Sequence, residues 1–223
     1  MKTKNEKLTY GIIGLGRFGY ALAVELAKAG EELLVIDEDE EKVRSLRDVT
    51  ENAYTVTNLK KQTLLETGIQ NCDVAVVCIG EHIDTSILTT LHLVGMGIPK
   101  VISKATSSEH GEILEKLGAE VVYPERDMAV RLAYRIETFK TLDFVKLSEK
   151  VNISKILVPQ KFIDKTVMAV NLRGQFGVNI IAIENEGYVH EVVDPNYVFQ
   201  ANDILYLSGK KDNFIKLSNW AND

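Results

Sequence analysis

The run Gly11-Ile12-Ile13-Gly14-Leu15-Gly16-Arg17-Phe18-Gly19 constrains this chain more than any other segment. A short apolar strand breaks into a Gly-x-Gly-x-x-Gly turn and then enters a helical pattern. Leu22, Leu26 and Ala29 recur on one face of that pattern before Gly30 stops it. Each glycine has its own task. Gly14 permits the tight turn, Gly16 lets an anionic group approach the backbone, and Gly19 lets the helix pack close to the strand. The N–H groups of such a helix start, backed by the positive end of the helix dipole, form an anion site. One helix later the strand Leu33-Leu34-Val35-Ile36 ends in Asp37. That places a carboxylate about 20 residues past the glycines, where ribose hydroxyls need one. The competing reading is a Gly-rich turn followed by an acid that merely caps the next helix; it leaves the register of strand, turn, helix and acid unexplained. The segment is therefore read as an adenine-nucleotide site, with Gly14, Gly16, Arg17, Phe18 and Gly19 at the phosphates.

The rest of the first part repeats the same alternation. Strands are expected at Ala53–Val56, Asp73–Ile79, Lys100–Lys104 and Glu120–Tyr123, with amphipathic helices between them. Asp73–Ile79 is a continuous apolar run, as expected of a strand buried on both faces. Six strands with helical crossovers predict an α/β domain built on a Rossmann-type, doubly wound parallel sheet over residues 1–141. Pro124 opens a connector helix that runs to about residue 140. Residues 142–223 change character and predict a small α+β domain. Its strands lie near 154–158, 179–184, 188–192 and 204–208, with a helix near 166–173 and another over 211–220. Asn185-Glu186-Gly187 is a hairpin signal between two of those strands.

Further candidates sit at the carboxyl ends of the strands, where open parallel sheets collect ligands. Arg17, between the second and third glycines, can reach phosphate oxygens with a forked contact, which suits ADP or ATP better than NAD. The alternative is an exposed Arg opposing its helix dipole. Asp37 with Glu38 disfavours a 2′-phosphate by repulsion, although part of Glu38–Glu41 is also an ordinary acidic helix start. Asn58 is a candidate adenine contact, and Ile79-Gly80 a candidate wall. Lys104 and His110 are candidates to neutralise phosphate charge, with helix capping or plain surface exposure as the alternative for His110. Glu125 is either a first-turn acid favoured by the dipole or a divalent-cation ligand beside a phosphate.

Composition removes several classes. The net charge of −6 argues against a general nucleic-acid binder. No apolar run approaches the roughly 20 residues a membrane helix needs, and no cleavable signal core precedes the glycine turn, so a cytoplasmic protein is expected. Cys72 and Cys78 suggest neither a disulfide scaffold nor a zinc site. No Ser/His/Asp or Cys/His set appears, and residues 142–223 offer only His190 and scattered acids as proton-transfer groups. An enzyme is not expected. The remaining alternatives are an NAD-dependent dehydrogenase, since Gly-Leu-Gly-Arg-Phe-Gly is similar to a hydroxyacid dehydrogenase turn, or an NADH-sensing regulator. The dehydrogenase needs a large catalytic domain that does not fit here.

Several blocks together carry a resemblance to a known family. They are Ile13–Gly19, Val35-Ile36-Asp37, Val77-Cys78-Ile79-Gly80, Lys104-Ala105 with His110, Leu117-Gly118-Ala119 and Tyr123–Met128. In the second domain they are Asn171–Ile183, Asn202-Asp203-Ile204-Leu205 and Ser208-Gly209. In this order and spacing the chain resembles the regulatory subunits of bacterial potassium uptake systems. These are the KtrA/KtrC and TrkA type, with an RCK (regulator of K+ conductance) architecture of an N domain and a small C-terminal domain.

The resemblance implies binding of ATP or ADP, and often NAD(H), without turnover as a task. It implies a homodimer assembling into an octameric ring under an integral membrane K+ translocating subunit of the KtrB, KtrD or TrkH kind. Arg17 then becomes a phosphate contact that can cross the dimer interface, and Glu125 a residue that helps hold Mg2+ or Ca2+ there. Two nucleotides that favour different ring shapes would gate the transporter. In similar proteins the C-terminal domain binds cyclic di-AMP between protomers; the corresponding positions are Leu172, Arg173, Asn179, Ile180 and Pro195.

Overall fold

A computed structural model describes residues 7–137, 141–148 and 151–222. The chain divides into two compact units, Met1–Glu125 and Arg126–Asp223.

The first unit alternates strands and helices. In chain order these are β1 (Thr9–Ile13), α1 (Arg17–Lys28), β2 (Glu32–Asp37), α2 (Glu40–Arg44), β3 (Asn52–Thr55), α3 (Lys61–Glu66), β4 (Val74–Val77), α4 (Ile83–Gly95), β5 (Lys100–Lys104), α5 (Ser108–Lys116) and β6 (Glu120–Val122). All pairings are parallel, in the order β3-β2-β1-β4-β5-β6. This is the doubly wound Rossmann-type order, one of the few that alternating apolar strands and amphipathic helices allow.

Successive side chains of a strand point to opposite faces, so the sheet carries two cores. Ile13, Leu34, Ile36, Ala75 and Val77 fill one, and Ile12, Leu33, Val35, Val76 and Cys78 fill the other. Ile12 and Ile13 have no exposed surface, and burying each fully is worth about 2–3 kcal/mol. Gly19 sets the spacing of α1 on the sheet, since a Cβ built there would stand 1.9 Å from the Gly14 carbonyl oxygen.

Helix α6 (Pro124–Glu137) leaves β6 directly, and its end, expected near Lys140, lies outside the described residues. Every residue of the helix from Arg126 to Ala133 is exposed. The compact units part at Glu125/Arg126, at the start of this helix, which the sequence reading counts with the first domain to residue 141.

The second unit adds β7 (Thr141–Lys146), β8 (Asn152–Leu157), α7 (Val167–Val170), α8 (Leu172–Phe176), β9 (Asn179–Asn185), β10 (Tyr188–His190), β11 (Ile204–Gly209) and α9 (Lys211–Asn222). Its sheet is antiparallel, ordered β10-β9-β11-β8-β7. Strand β7 was not expected; among the described residues it is joined to the sheet along one side, by β8. The hairpin signal is realised, with Glu186 and Gly187 at φ of 47° and 83° and Tyr188 paired to Asn185.

The single helix expected near 166–173 is two short ones. Asn171 adopts a left-handed conformation, φ 43°, which ends α7, and its Oδ1 accepts the Gly174 N–H at 3.1 Å to start α8. Asparagine tolerates that backbone because its short side chain bonds locally. The core of the second unit joins Phe162, Leu172, Phe199, Leu205, Leu207 and Phe214.

Candidate nucleotide site

Within the first unit, a cleft of about 700 Å³ opens at the carboxyl ends of the strands, lined by residues that follow β1, β2, β3, β4 and β5. It sits where the strand order reverses, between β1 and β4, as ligand crevices of open parallel sheets do. Gly16 is the N-cap residue of α1 and offers no side-chain cap, and the first turn of α1 holds no acid. The N–H groups there are available to an anion. A Cβ built on Gly16 meets nothing within 4 Å, so its backbone is open to the cleft it lines. Gly14, at φ 92°, makes the turn that only glycine adopts without strain. Arg17 and Phe18 line the same space.

Asp37 is 8% exposed and lines the cleft. Its Oδ2 accepts the Leu15 N–H and its Oδ1 accepts the Asp39 N–H at 2.9 Å. The carboxylate therefore first ties the glycine turn to the end of β2, with one lone pair on each oxygen left for a ribose hydroxyl. Lys42, which the sequence did not single out, stands 3.7 Å from Asp37 and 3.6 Å from Asp39. Its signal was its place three residues after the cap Asp39, at the start of α2. Glu38 is exposed on the lining.

Asn58 also lines the cleft, but its Oδ1 accepts the Lys60 N–H at 3.0 Å and the Thr63 hydroxyl at 2.9 Å. Its acceptor shapes the loop into α3, and its NH2 donates to the Thr57 hydroxyl oxygen at 3.4 Å, which leaves one N–H to meet a base. Ile79 and Gly80 form the wall after β4, as expected. Cys78 beside them keeps its proton, since burial pushes the thiol up to about 12.

Lys104, at the end of β5, and Glu125, at the start of α6, form an ion pair with Nζ 2.5 Å from Oε1. The Lys104 side chain is only 12% exposed and that of Glu125 is 65% exposed. The hydrogen bond from Lys104 holds the Glu125 carboxyl below the usual range, and the Arg17 charge adds to the effect. The three residues share one electrostatic neighbourhood on the lining. Among the described residues, no cluster of three or more His, Cys, Asp or Glu side chains is arranged to hold a metal ion. Glu125 can thus supply one carboxylate ligand, and a hard cation would need phosphate oxygens and waters to complete its shell.

Two expected contacts are placed elsewhere. Gly19 does not line the cleft; it is the packing point of α1. His110 does not line it either. It is 2% exposed within α5, whose amphipathic pattern turns this position inward. Conversely Thr57, Glu81, His82, Thr85 and Thr106 line the cleft without having been expected. They follow the ends of β3, β4 and β5, so their only sequence signal was proximity to strand ends.

In the second unit Leu172 is 3% exposed and sits in the core, so its side chain is committed to packing and not free for a ligand. Arg173, Asn179 and Pro195 are exposed, and Ile180 is half-buried. The Pro195 carbonyl accepts the Met168 N–H at 2.9 Å, which docks its loop against α7.

Among the described residues no helix is long and apolar enough to cross a membrane. Two domain models match the chain, the TrkA-N domain over residues 10–124 and the TrkA-C domain over residues 153–222. The chain is 32% identical over 219 residues to the Ktr system potassium uptake protein A of Bacillus subtilis (strain 168), covering 98% of each. To the Ktr system potassium uptake protein C of the same organism it is 35% identical over 206 residues, covering 91% of this chain and 92% of that one. Among solved structures, the GsuK RCK domain matches with a TM-score of 0.64 at 16% identity, covering all of this chain and 49% of that one. The GsuK channel bound to NAD matches with a TM-score of 0.63 at 16% identity, covering 97% of this chain and 40% of that one. This chain spans about half the length of those two or less, and at such identity the likeness speaks for the fold. Matched in both halves by these domain models and along nearly its whole length by relatives above 30% identity, the chain belongs to the TrkA-N/TrkA-C family alongside the Ktr system potassium uptake proteins.

Proposed function

We propose that the chain is a non-enzymatic regulatory subunit that binds ATP or ADP in the cleft of the first unit and gates a membrane K+ transporter. The observation that carries the nucleotide reading is the uncapped, acid-free start of α1, with Gly16 open to the cleft and Arg17 beside it. Three anion-seeking features converge there, and Asp37 stands one strand away for the ribose. NAD(H) is a further ligand of the same cleft; one structural relative is a channel solved bound to NAD. The cleft residues fit a bound Mg2+ or Ca2+ only as a shared shell, with Glu125 and the nucleotide phosphates as ligands.

The potassium role rests on kinship with Ktr system potassium uptake proteins. In this reading the subunit dimerises and builds an octameric ring beneath an integral membrane K+ translocating partner at the inner face of the cell membrane. Tri- and diphosphate gate it by favouring different ring shapes, since a ligand shifts an equilibrium only through differential affinity for its states. Cyclic di-AMP is the second input, taken up by the second unit near Arg173, Asn179, Ile180 and Pro195.

Isothermal titration with ATP, ADP, NADH and cyclic di-AMP in parallel tests this reading. Tight ATP and ADP binding, with cyclic di-AMP independent of both, supports a two-input gate. Selective NADH binding, or NADH production from NAD+ and hydroxyacids, favours a redox sensor or dehydrogenase instead. Arg17→Ala is expected to weaken ATP by about tenfold or more, the worth of one charged hydrogen bond, and NAD less. Equal losses for both ligands remove the phosphate role from Arg17.

A further inference from the structure

His110 is buried and does not line the cleft, yet it touches a residue that does. Its Nδ1 accepts the Thr106 N–H at 3.4 Å and lies 3.4 Å from the Thr106 hydroxyl oxygen. Thr106 stands in the short turn between β5 and α5, and it lines the nucleotide cleft. The turn is held on both sides. Ala105 N–H donates to the Val122 carbonyl at 2.9 Å, and Ser107 Oγ accepts the His110 N–H at 3.1 Å. Across the cleft wall, a Cβ built on Gly80 would stand 3.3 Å from both Thr106 Cγ2 and Lys104 Nζ. The position of this turn therefore sets the shape of the wall and the seat of Lys104.

A backbone N–H can only donate, so Nδ1 facing it must hold a lone pair, and the ring proton sits on Nε2. That Nε2 is buried without a partner. An added proton has one place to go, Nδ1, where it would oppose the Thr106 N–H and turn the ring toward the Thr106 hydroxyl oxygen instead. Among the described residues no charge is paired with the ring, and burial pushes its pKa below the ordinary value. Helix α4 buries the hydroxyls of Ser86, Thr89 and Thr90, and β5 buries Ser103. Lys104 is taken by Glu125, Glu120 by Lys100, and Tyr123 lies over Gly111. On α5 itself Glu109, Glu112, Glu115 and Lys116 are exposed.

We propose that His110 is a positioning residue. As a neutral imidazole it pins Thr106 and the β5–α5 turn at the cleft wall, and its protonation releases the turn and weakens nucleotide binding. The inference rests on the nucleotide reading of the cleft. It makes the occupancy of the site respond to acidification even though His110 touches no ligand. The sign follows from the depressed pKa: the pinned turn is intact above the ordinary His value and is lost as pH falls through the lower folded value.

The test measures ATP and NAD+ affinity of the full chain and of His110→Asn between about pH 8 and about pH 5. Asparagine keeps an acceptor near the Nδ1 position but does not titrate, and comparing the two proteins cancels any titration of the ligand. Wild-type affinity is expected to fall at the acid end, approaching about tenfold per pH unit as one linked proton requires; the His110→Asn profile lacks that slope. In parallel, NMR titration of the His110 ring in the wild-type protein is expected to show its pKa lowered further by bound nucleotide, by reciprocity. This second readout stands even where the variant fails to fold. Equal slopes in both proteins, or a His110 pKa unmoved by ligand, overturn the inference while leaving nucleotide binding in place. Absence of ATP and NAD+ binding at every pH removes the nucleotide reading, and this inference with it.

Discussion

The two units solve the same burial problem in opposite ways. The first covers both faces of a parallel sheet with helices and so builds two cores from alternating residues of single strands, such as Ile12 and Ile13. Its faces are fully used, and what remains open is the carboxyl edge, where backbone N–H groups and strand-end side chains meet. The second pairs its strands antiparallel and gathers one core, rich in Phe162, Phe199 and Phe214 with Trp220 packed against it. There a polar knot replaces the second core. The fully buried Asp203 accepts from the Asn185 amide, the Tyr197 hydroxyl and the Gln200 N–H. The lesson is that a parallel sheet exports its chemistry to an edge, whereas the antiparallel unit has polar chemistry inside its packing.

That contrast is open to attack, beginning with the largest effect. Gly19→Val should unfold the first unit or cost it upwards of about 3 kcal/mol, because the new Cβ collides with a carbonyl oxygen. Nucleotide binding should vanish while the fluorescence transition of Trp220, the one tryptophan, keeps its midpoint. Loss of both together would show that the cores are not independent. Phe162→Ala should do the converse and lower the Trp220 transition by about 4 kcal/mol in a urea titration, with nucleotide affinity unchanged.

Asp203→Ala should cost about 3 kcal/mol by stranding three donors. It should also bring the Tyr197 hydroxyl part of the way down from about 12, where burial first and then the Asp203 hydrogen bond hold it. An NMR titration of Tyr197 reads that change. The smallest effect is expected from Glu125→Gln. The pair with Lys104 is exposed on the Glu125 side, so its contribution after solvent screening is below about 1 kcal/mol. Because the folded carboxyl titrates low, this stability is present above the ordinary Glu value and is lost as pH falls through the lower one. Thermal melts near neutral and acid pH, wild type against variant, check both size and direction.

Much of the first unit was legible from local pattern. Strand β5 falls at its expected residues, and Gly14, Gly16, Arg17, Phe18, Asp37, Glu38, Ile79, Gly80, Lys104 and Glu125 all reach one cleft. Less was legible where neighbours decide. Strand β7 carries a short pattern that its partner β8 stabilises, and the break at Asn171 needed one residue in a left-handed conformation inside a helical run. Asn58 and His110 were placed by their chemistry as ligand contacts. The fold turned the acceptor of the first into its own loop and the ring of the second inward from α5.

What the sequence alone determined is the alternation of strand, glycine turn and helix, and with it the parallel class of the first sheet and the edge at which its glycine turn lies. Periodicity and turn chemistry act over a few residues, and the crossover rules narrow the sheet to a handful of parallel arrangements. Only the tertiary structure decided which polar groups meet. Lys104 finds Glu125 across 21 positions, Asp37 finds Leu15 across 22, and Asn185 finds Asp203 across 18. Such pairs are fixed by the packing of elements against one another, which no local period encodes.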